Sequence, residues 1–230
     1  MGRATMIDTD DPQHSQERGP VNPGLRPRAI KTQWTTAFEE NTRFYLDALA
    51  DAGPDEADLN KVFASPLATK NLMDLLGIRG VEVERVRIWS AVLMEGLCNV
   101  EDDPEVWRTV DTVRDEVDTL VRELIPYLRA KPDNTFTSAL VAAGRPDEAI
   151  LANVKLALSG GINEPQHAIT STVWALSEHP EQRADLLTDP ESWPDALEEV
   201  LRWVSPLSNI PRRARRDVEI EGVVITGDGG

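Results

Sequence analysis

The sequence predicts a mainly α-helical chain that closes on one small β-hairpin. Three observations carry this. Apolar residues recur at three- and four-residue steps through most of the chain, Pro and Gly stand at the ends of those runs, and beyond Pro206 the apolar period becomes two.

Taken in order, residues 1–11 read as polar and irregular, and Asp11-Pro12 then gives a helix start, since Asp caps and Pro at a first helical position sacrifices no hydrogen bond. The short helix that follows ends at Gly19-Pro20, and Asn22-Pro23-Gly24 extends the break. Pro27 opens a second helix with Ile30, Trp34 and Phe38 on one stripe, prolonged by Tyr45, Leu46 and Leu49 to Gly53-Pro54. A third helix runs from Pro66 to Leu76, closed by Gly77, and the next two cover 81–98 and 104–130. In the latter, Val110, Val113, Val117, Leu120, Val121, Leu124, Ile125 and Leu128 form an apolar face opposite Asp, Glu and Arg, which makes it a packing helix.

A short helix at 136–143 leads through Gly144-Arg145-Pro146 to a long helical pattern over 147–178. Gly160-Gly161 and Pro165 interrupt it and should bend or open it there. His179-Pro180 ends it, and shorter helices follow at 181–187 and 191–204. Val218 and Ile220, then Val223 and Ile225, alternate about the turn Glu221-Gly222, which is a hairpin pattern.

Size and composition narrow the function classes. The 230 residues, 40% hydrophobic, can bury a sizeable core. With 24 Lys and Arg against 40 Asp and Glu, the net charge of -16 repels phosphate backbones and anionic surfaces, so neither nucleic acid nor membrane is expected as a partner. The expected setting is the cytoplasm: Met1–Asp8 has no apolar stretch of signal-peptide length, no run of about eighteen apolar residues occurs, and the one cysteine, Cys98, forms no internal disulfide framework.

Three constellations bear on chemistry. His14 and Arg18 lie at i,i+4 in Asp11-Pro12-Gln13-His14-Ser15-Gln16-Glu17-Arg18, and two donors on one helix face suit a carboxylate, although a solvated helix with an incidental His gives the same spacing. Glu199 and Arg202 lie at i,i+3 in Glu198-Glu199-Val200-Leu201-Arg202-Trp203, a pairing common on helix surfaces. In Ser159-Gly160-Gly161-Ile162-Asn163-Glu164 the glycines remove side-chain bulk, so that either a flat ligand or a neighbouring helix can approach the backbone.

In this order these features resemble the cytochrome P-450 family of the soluble bacterial type, and the resemblance runs from about residue 5 to the end. It is helped by Thr137-Ser138-Ala139-Leu140 and His179-Pro180-Glu181-Gln182 before and after the long helix, and by Arg212-Arg213-Ala214-Arg215-Arg216-Asp217-Val218-Glu219 after the Glu-x-x-Arg pair. The resemblance implies a single incomplete domain over 1–230 with a partial P-450 helical fold, reaching from the C helix to the sheet hairpin after the K helix. It implies haem b (iron protoporphyrin IX) as cofactor, with His14, Arg18 and Arg212 at its propionates and Gly160 and Gly161 beside it, and Glu199–Arg202 as a structural ion pair. The activity it implies is a haem-thiolate monooxygenase acting on a small organic substrate, with electrons from an external ferredoxin or reductase. A fragment of this kind is expected to be inactive alone.

The chain departs from the family pattern twice. The glycine-framed loop that carries the axial cysteine is absent, so no metal ligand is assigned; Cys98 in Glu95-Gly96-Leu97-Cys98-Asn99 reads as a small half-buried thiol. Asn163 and Glu164 stand where the family has an acid and an alcohol, which makes them an atypical oxygen-activation pair in which Glu164 is the candidate proton carrier. Pro165, lacking an N–H, frees a carbonyl one turn back for an ordered water. Glu164 and His167 also make the Glu-x-x-His spacing of di-iron bundles, but such sites need a second pair and none occurs. The arginines at 212–216 could dock an acidic partner or form a solvated charge run. A non-catalytic helical remnant or interaction module is the alternative; a helical regulator would need a DNA-binding segment that the sequence does not display.

Overall fold

The computed structural model describes residues 5–205, 207, 210, 212 and 214–227. In chain order its helices are α1 (Gln13–Arg18), α2 (Pro27–Gln33), α3 (Thr35–Glu56), α4 (Ser65–Leu76), α5 (Val83–Leu97), α6 (Pro104–Ala130), α7 (Phe136–Ala142), α8 (Asp147–Gly160), α9 (Asn163–Glu178), α10 (Pro180–Thr188) and α11 (Trp193–Val204). The strands β1 (Val218–Ile220) and β2 (Val223–Ile225) complete a mainly α fold with one small antiparallel sheet. Two compact units divide at the end of α9: Met1–Glu178 and His179–Gly230.

The first unit is built on the apolar face of α6. Val113, Val117, Val121 and Ile125 meet Val86, Trp89 and Leu93 of α5, Leu72, Met73 and Leu76 of α4, and Ile150, Leu151, Val154 and Leu158 of α8 in one buried cluster. A second, smaller cluster sets Phe63, Ala64 and Leu67 against Tyr45, Leu49 and Ile169. Charged groups then register α6 against its neighbours. Lys155 pairs with Asp118 and Arg129 Nη2 donates to Asp147 at 2.6 Å from the α8 side; from the α5 side Arg85 and the Trp89 indole N–H, the latter at 2.8 Å, both donate to Glu116.

The differences from the expected elements have local causes. The helix opened by Pro27 breaks at Trp34 (φ -118°, ψ -20°) and resumes as α3, which is itself interrupted at Gly53 (φ 71°, ψ 171°), where the Gly53-Pro54 break is expected, before a last turn to Glu56. Leu46 is exposed while Tyr45 and Leu49, one turn apart, face the smaller cluster; adjacent residues on a helix cannot share a face. A π-helical stretch, Leu59–Ala64, precedes α4. Met6, in a region read as irregular, lies in a 3₁₀ turn and is buried in the core.

The second unit carries α10, α11 and the hairpin. Strand register pairs Val218 with Ile225, Glu219 with Val224 and Ile220 with Val223. Glu221 and Gly222 both take positive φ, 49° and 79°, which is the two-residue turn that matches strand twist. Among the described residues of this unit only Val200 is buried.

Candidate functional site

The site begins at α1. The Asp11 carboxylate accepts the Ser15 N–H at 3.1 Å and the Ser15 hydroxyl at 2.5 Å, which fixes the first turn and holds the Asp11 carboxyl below its ordinary range. His14 is half-buried, with Nδ1 2.9 Å from the Met6 carbonyl oxygen. A carbonyl only accepts, so Nδ1 carries the proton and Nε2 is the ring atom left for another partner. One turn on, exposed Arg18 donates Nε to Asn22 Oδ1 at 2.6 Å, which leaves its terminal nitrogens available. The i,i+4 pair is therefore present as a cationic, donor-bearing face.

Beneath that face lies a residue the sequence reading did not single out. Glu17 is 2% exposed; Arg145 Nη2 donates to its Oε1 at 2.5 Å and Asn153 Nδ2 to its Oε2 at 3.0 Å. A signal existed: α1 is Gln-His-Ser-Gln-Glu-Arg, with no apolar side chain, so whatever it buries must be polar and must bring a partner. Asn153 belongs to α8 and precedes Gly160 by seven residues. Seven residues are about two turns, roughly 10 Å along the axis and nearly the same azimuth. Glu17 thus docks α1 onto the side of α8 that ends at the glycine pair.

The predicted interruption is real: α8 stops at Gly160 and α9 starts at Asn163. The two glycines differ. A Cβ on Gly161 would stand 2.6 Å from the Ala157 carbonyl oxygen and 2.9 and 3.0 Å from the Leu72 methyl carbons, so this glycine serves helix packing against α4. A Cβ on Gly160 would meet nothing within 4 Å, so here the backbone lies bare. Asn163 and Glu164 are half-buried in the first turn of α9, and the Glu164 Oε2 atom is enclosed with no hydrogen-bond partner. A buried carboxylate oxygen without a donor costs free energy unless something else satisfies it.

The remaining candidates are less enclosed. His167 is exposed, and the described residues hold no group of three His, Cys, Asp or Glu able to bind a metal. Cys98, expected to be half-buried, is exposed, because it caps α5 where the chain leaves the helix for the loop before α6. In the second unit Arg202 grips Glu199 with two bonds of 2.6 Å, holding the carboxyl low and the guanidinium high, yet both side chains face water. Arg212, Arg215 and Arg216 are exposed; Arg213 lies outside the described residues.

No family model matches the chain. Among curated proteins it is similar to a steroid C26-monooxygenase of Mycolicibacterium smegmatis, 29% identical over 226 residues, covering 96% of this chain and 55% of that protein. It is also similar to a methyl-branched lipid omega-hydroxylase of Mycobacterium bovis, 28% identical over 227 residues and covering 95% and 52%. Among solved structures, the ligand-free cytochrome P450 TbtJ1 superposes with a TM-score of 0.81 at 32% identity, over 98% of this chain and 60% of that one. The chain belongs to the cytochrome P450 family. It spans about half the length of the curated relatives it matches.

Haem is the group this family implies, and the described residues of the first unit fit its periphery. Gly160 leaves bare backbone for a flat ring, and His14 Nε2 with the Arg18 guanidinium can take an anionic propionate by charge-assisted bonds. What they do not offer is an enclosed thiolate, since Cys98 is exposed. As a cytochrome P450 the chain has no helix, among the described residues, that is long and apolar enough to cross a membrane.

Proposed function

We propose that these residues belong to a haem-thiolate monooxygenase that inserts one oxygen atom of O2 into a small organic substrate and reduces the other to water with two electrons from an external donor. The observation that carries this reading is the pairing of bare backbone at Gly160 with the unpartnered Glu164 oxygen at a helix break, on the same helix, α8, that binds Glu17 of α1 through Asn153. When bound, haem b supplies the oxygen and electron chemistry. His14 and Arg18 would hold its carboxylates, and the bare backbone at Gly160 would leave room for its ring. Glu164 takes up and passes a proton at Oε2, the role that Asn163 beside it lacks the acidity to play. Named relatives act on steroid and branched lipid, which favours an apolar substrate here.

The donor, a ferredoxin or reductase, would be acidic. Arg18, Arg26, Arg28 and Lys31 fall in a stretch from Arg18 to Phe38 without a carboxylate, and all four are exposed, so this otherwise acidic chain carries an exposed cationic segment that suits such a donor. A reducing cytoplasm suits such a partner. A second reading, a non-catalytic helical module, is favoured by the exposure of Cys98, which leaves this chain without an enclosed thiolate.

The test is a haem titration with a reduced carbon-monoxide spectrum, run on the 230-residue chain and on the longest reading frame that contains it. The monooxygenase reading expects a thiolate-type Soret band from the longer protein; no haem uptake by either would sink it. In the active protein, Glu164→Gln should slow turnover and raise the share of O2 lost without product, and unchanged coupling would remove Glu164 from the proton path.

A further inference from the structure

The polar side chains under α1 form one connected line. Arg145 Nη2 donates to Glu17 Oε1 at 2.5 Å, Asn153 Nδ2 donates to Glu17 Oε2 at 3.0 Å, the Met6 N–H donates to Asn153 Oδ1 at 2.9 Å, and the Met6 carbonyl accepts His14 Nδ1–H at 2.9 Å. Every link has its direction fixed by chemistry. A carboxylate only accepts, so the Asn153 amide must turn its NH2 to Glu17 and its oxygen to Met6. That oxygen then anchors the backbone of Met6 by its N–H, and the carbonyl of the same residue, in the next peptide group, leaves His14 a single tautomer. Glu17 and Asn153 are buried, 2% and 1% exposed, and Arg145 Nε is enclosed without a partner, so the guanidinium depends on the Glu17 carboxylate for compensation.

We infer that Glu17, Arg145 and Asn153 are positioning residues that lock His14 in its Nδ1–H form, so that Nε2 is always the atom offered to an anion. The haem consequence rests on the proposed function above; the tautomer consequence does not. Two acceptors set the polarity: Glu17 Oε2 and the Ala149 carbonyl, which takes the same Asn153 Nδ2 at 2.9 Å. A Gln at 17 has one side-chain oxygen where Glu17 serves two donors, so either Arg145 or Asn153 meets an N–H and the support of the Met6 N–H loosens.

The first test is nitrogen-15 NMR of His14 in the 230-residue chain, at a pH where the ring is neutral. The native chain should show Nδ1–H; Asn153→Leu and, independently, Glu17→Gln should move the ring towards the Nε2–H form that free imidazole prefers. Val154→Ala, which weakens the neighbouring core without touching the line, should leave the tautomer alone. An unchanged tautomer in whichever of the two variants folds, or an equal change in Val154→Ala, overturns the inference.

The second test measures haem release from the longest haem-binding reading frame. Loss of one such hydrogen bond corresponds to roughly fivefold faster release in Asn153→Leu, with no further acceleration when His14 is already Ala. Equal acceleration in both backgrounds would mean that the line does not act through His14. If His14→Ala alone leaves release unchanged, the propionate reading fails while the tautomer result still decides the lock.

Discussion

The two units of this chain spend their apolar residues in opposite ways. In Met1–Glu178, α6, α5, α4 and α8 bury a continuous cluster in which Val86, Val117, Val121, Leu140, Ile150 and Leu158 reach 0% exposure. In His179–Gly230, Leu187, Trp193, Leu197, Leu201, Trp203, Leu207 and Ile210 stay exposed, as do the apolar side chains of both strands. Sequence alone does not separate them, since α11 is as clearly amphipathic as α6. What differs is whether a partner surface is present for the face, and a periodic pattern says only that one is required.

The largest effect should come from hollowing the first unit. Leu158→Ala removes a fully buried side chain from the α8 face and should lower the unfolding free energy by about 2–5 kcal/mol in urea denaturation. Leu201→Ala, from an exposed position on α11, should shift it by no more than about 0.5 kcal/mol. Equal losses at the two positions would break the contrast between the units.

Next in size is the glycine pair. Gly161→Ala forces its methyl against Leu72 and the Ala157 carbonyl and should cost about 1–3 kcal/mol. Gly160→Ala meets open space in a helical conformation and should be neutral or stabilise by about 0.5 kcal/mol. A bulky Gly160→Leu should likewise keep the thermal midpoint, yet weaken haem uptake in the longest reading frame. That outcome would separate the packing glycine from the one that faces a ligand.

These contrasts show what was legible in the residues. The buried face of α6 could be read position by position, because a long helix averages out single ambiguities. The break at Gly160-Gly161 and the turn at Glu221-Gly222 were also legible, the turn because glycine readily takes the positive φ it needs, the break because a glycine pair admits the close approach that Leu72 makes to Gly161. The split at Trp34 was not: neither Gly nor Pro stands there, and Trp34 and Phe38, ring centroids 6.0 Å apart, keep the four-residue spacing of an unbroken helix. His14 and Arg18 could be named from spacing, but not the support beneath them, because Arg145 and Asn153 lie 128 and 136 positions from Glu17 in the sequence. Long-range polar pairing has no local period to betray it.

A smaller effect compares two carboxylate–arginine clamps. In the first unit Glu116 accepts from Arg85 and then from the Trp89 indole, and these bonds hold its carboxyl below the ordinary range. A carboxyl lowered on folding contributes stability that is present above its unfolded value and lost as pH falls through the folded one. Glu116→Gln should therefore lose about 1 kcal/mol near neutral pH, with the gap from the native protein closing as acid protonates Glu116 of the native protein. A gap that stayed constant into acid would assign the effect to shape rather than charge.

The smallest expected effect is at Glu199, and its smallness is informative. Arg202 donates to it twice at 2.6 Å and lowers its carboxyl, so the geometry is that of a strong bidentate pair. Yet the two side chains are 60% and 70% exposed, and water and salt can replace each for the other. Glu199→Gln should leave the thermal midpoint of this chain unchanged, at low and at high ionic strength alike. A clear, salt-insensitive loss would mean that the pair is enclosed in solution, and the description of α11 as a water-facing helix would fail with it. In a form of the protein where the apolar face of α11 is covered, the same substitution should become costly, because the desolvated Arg202 would then have lost its only strong acceptor.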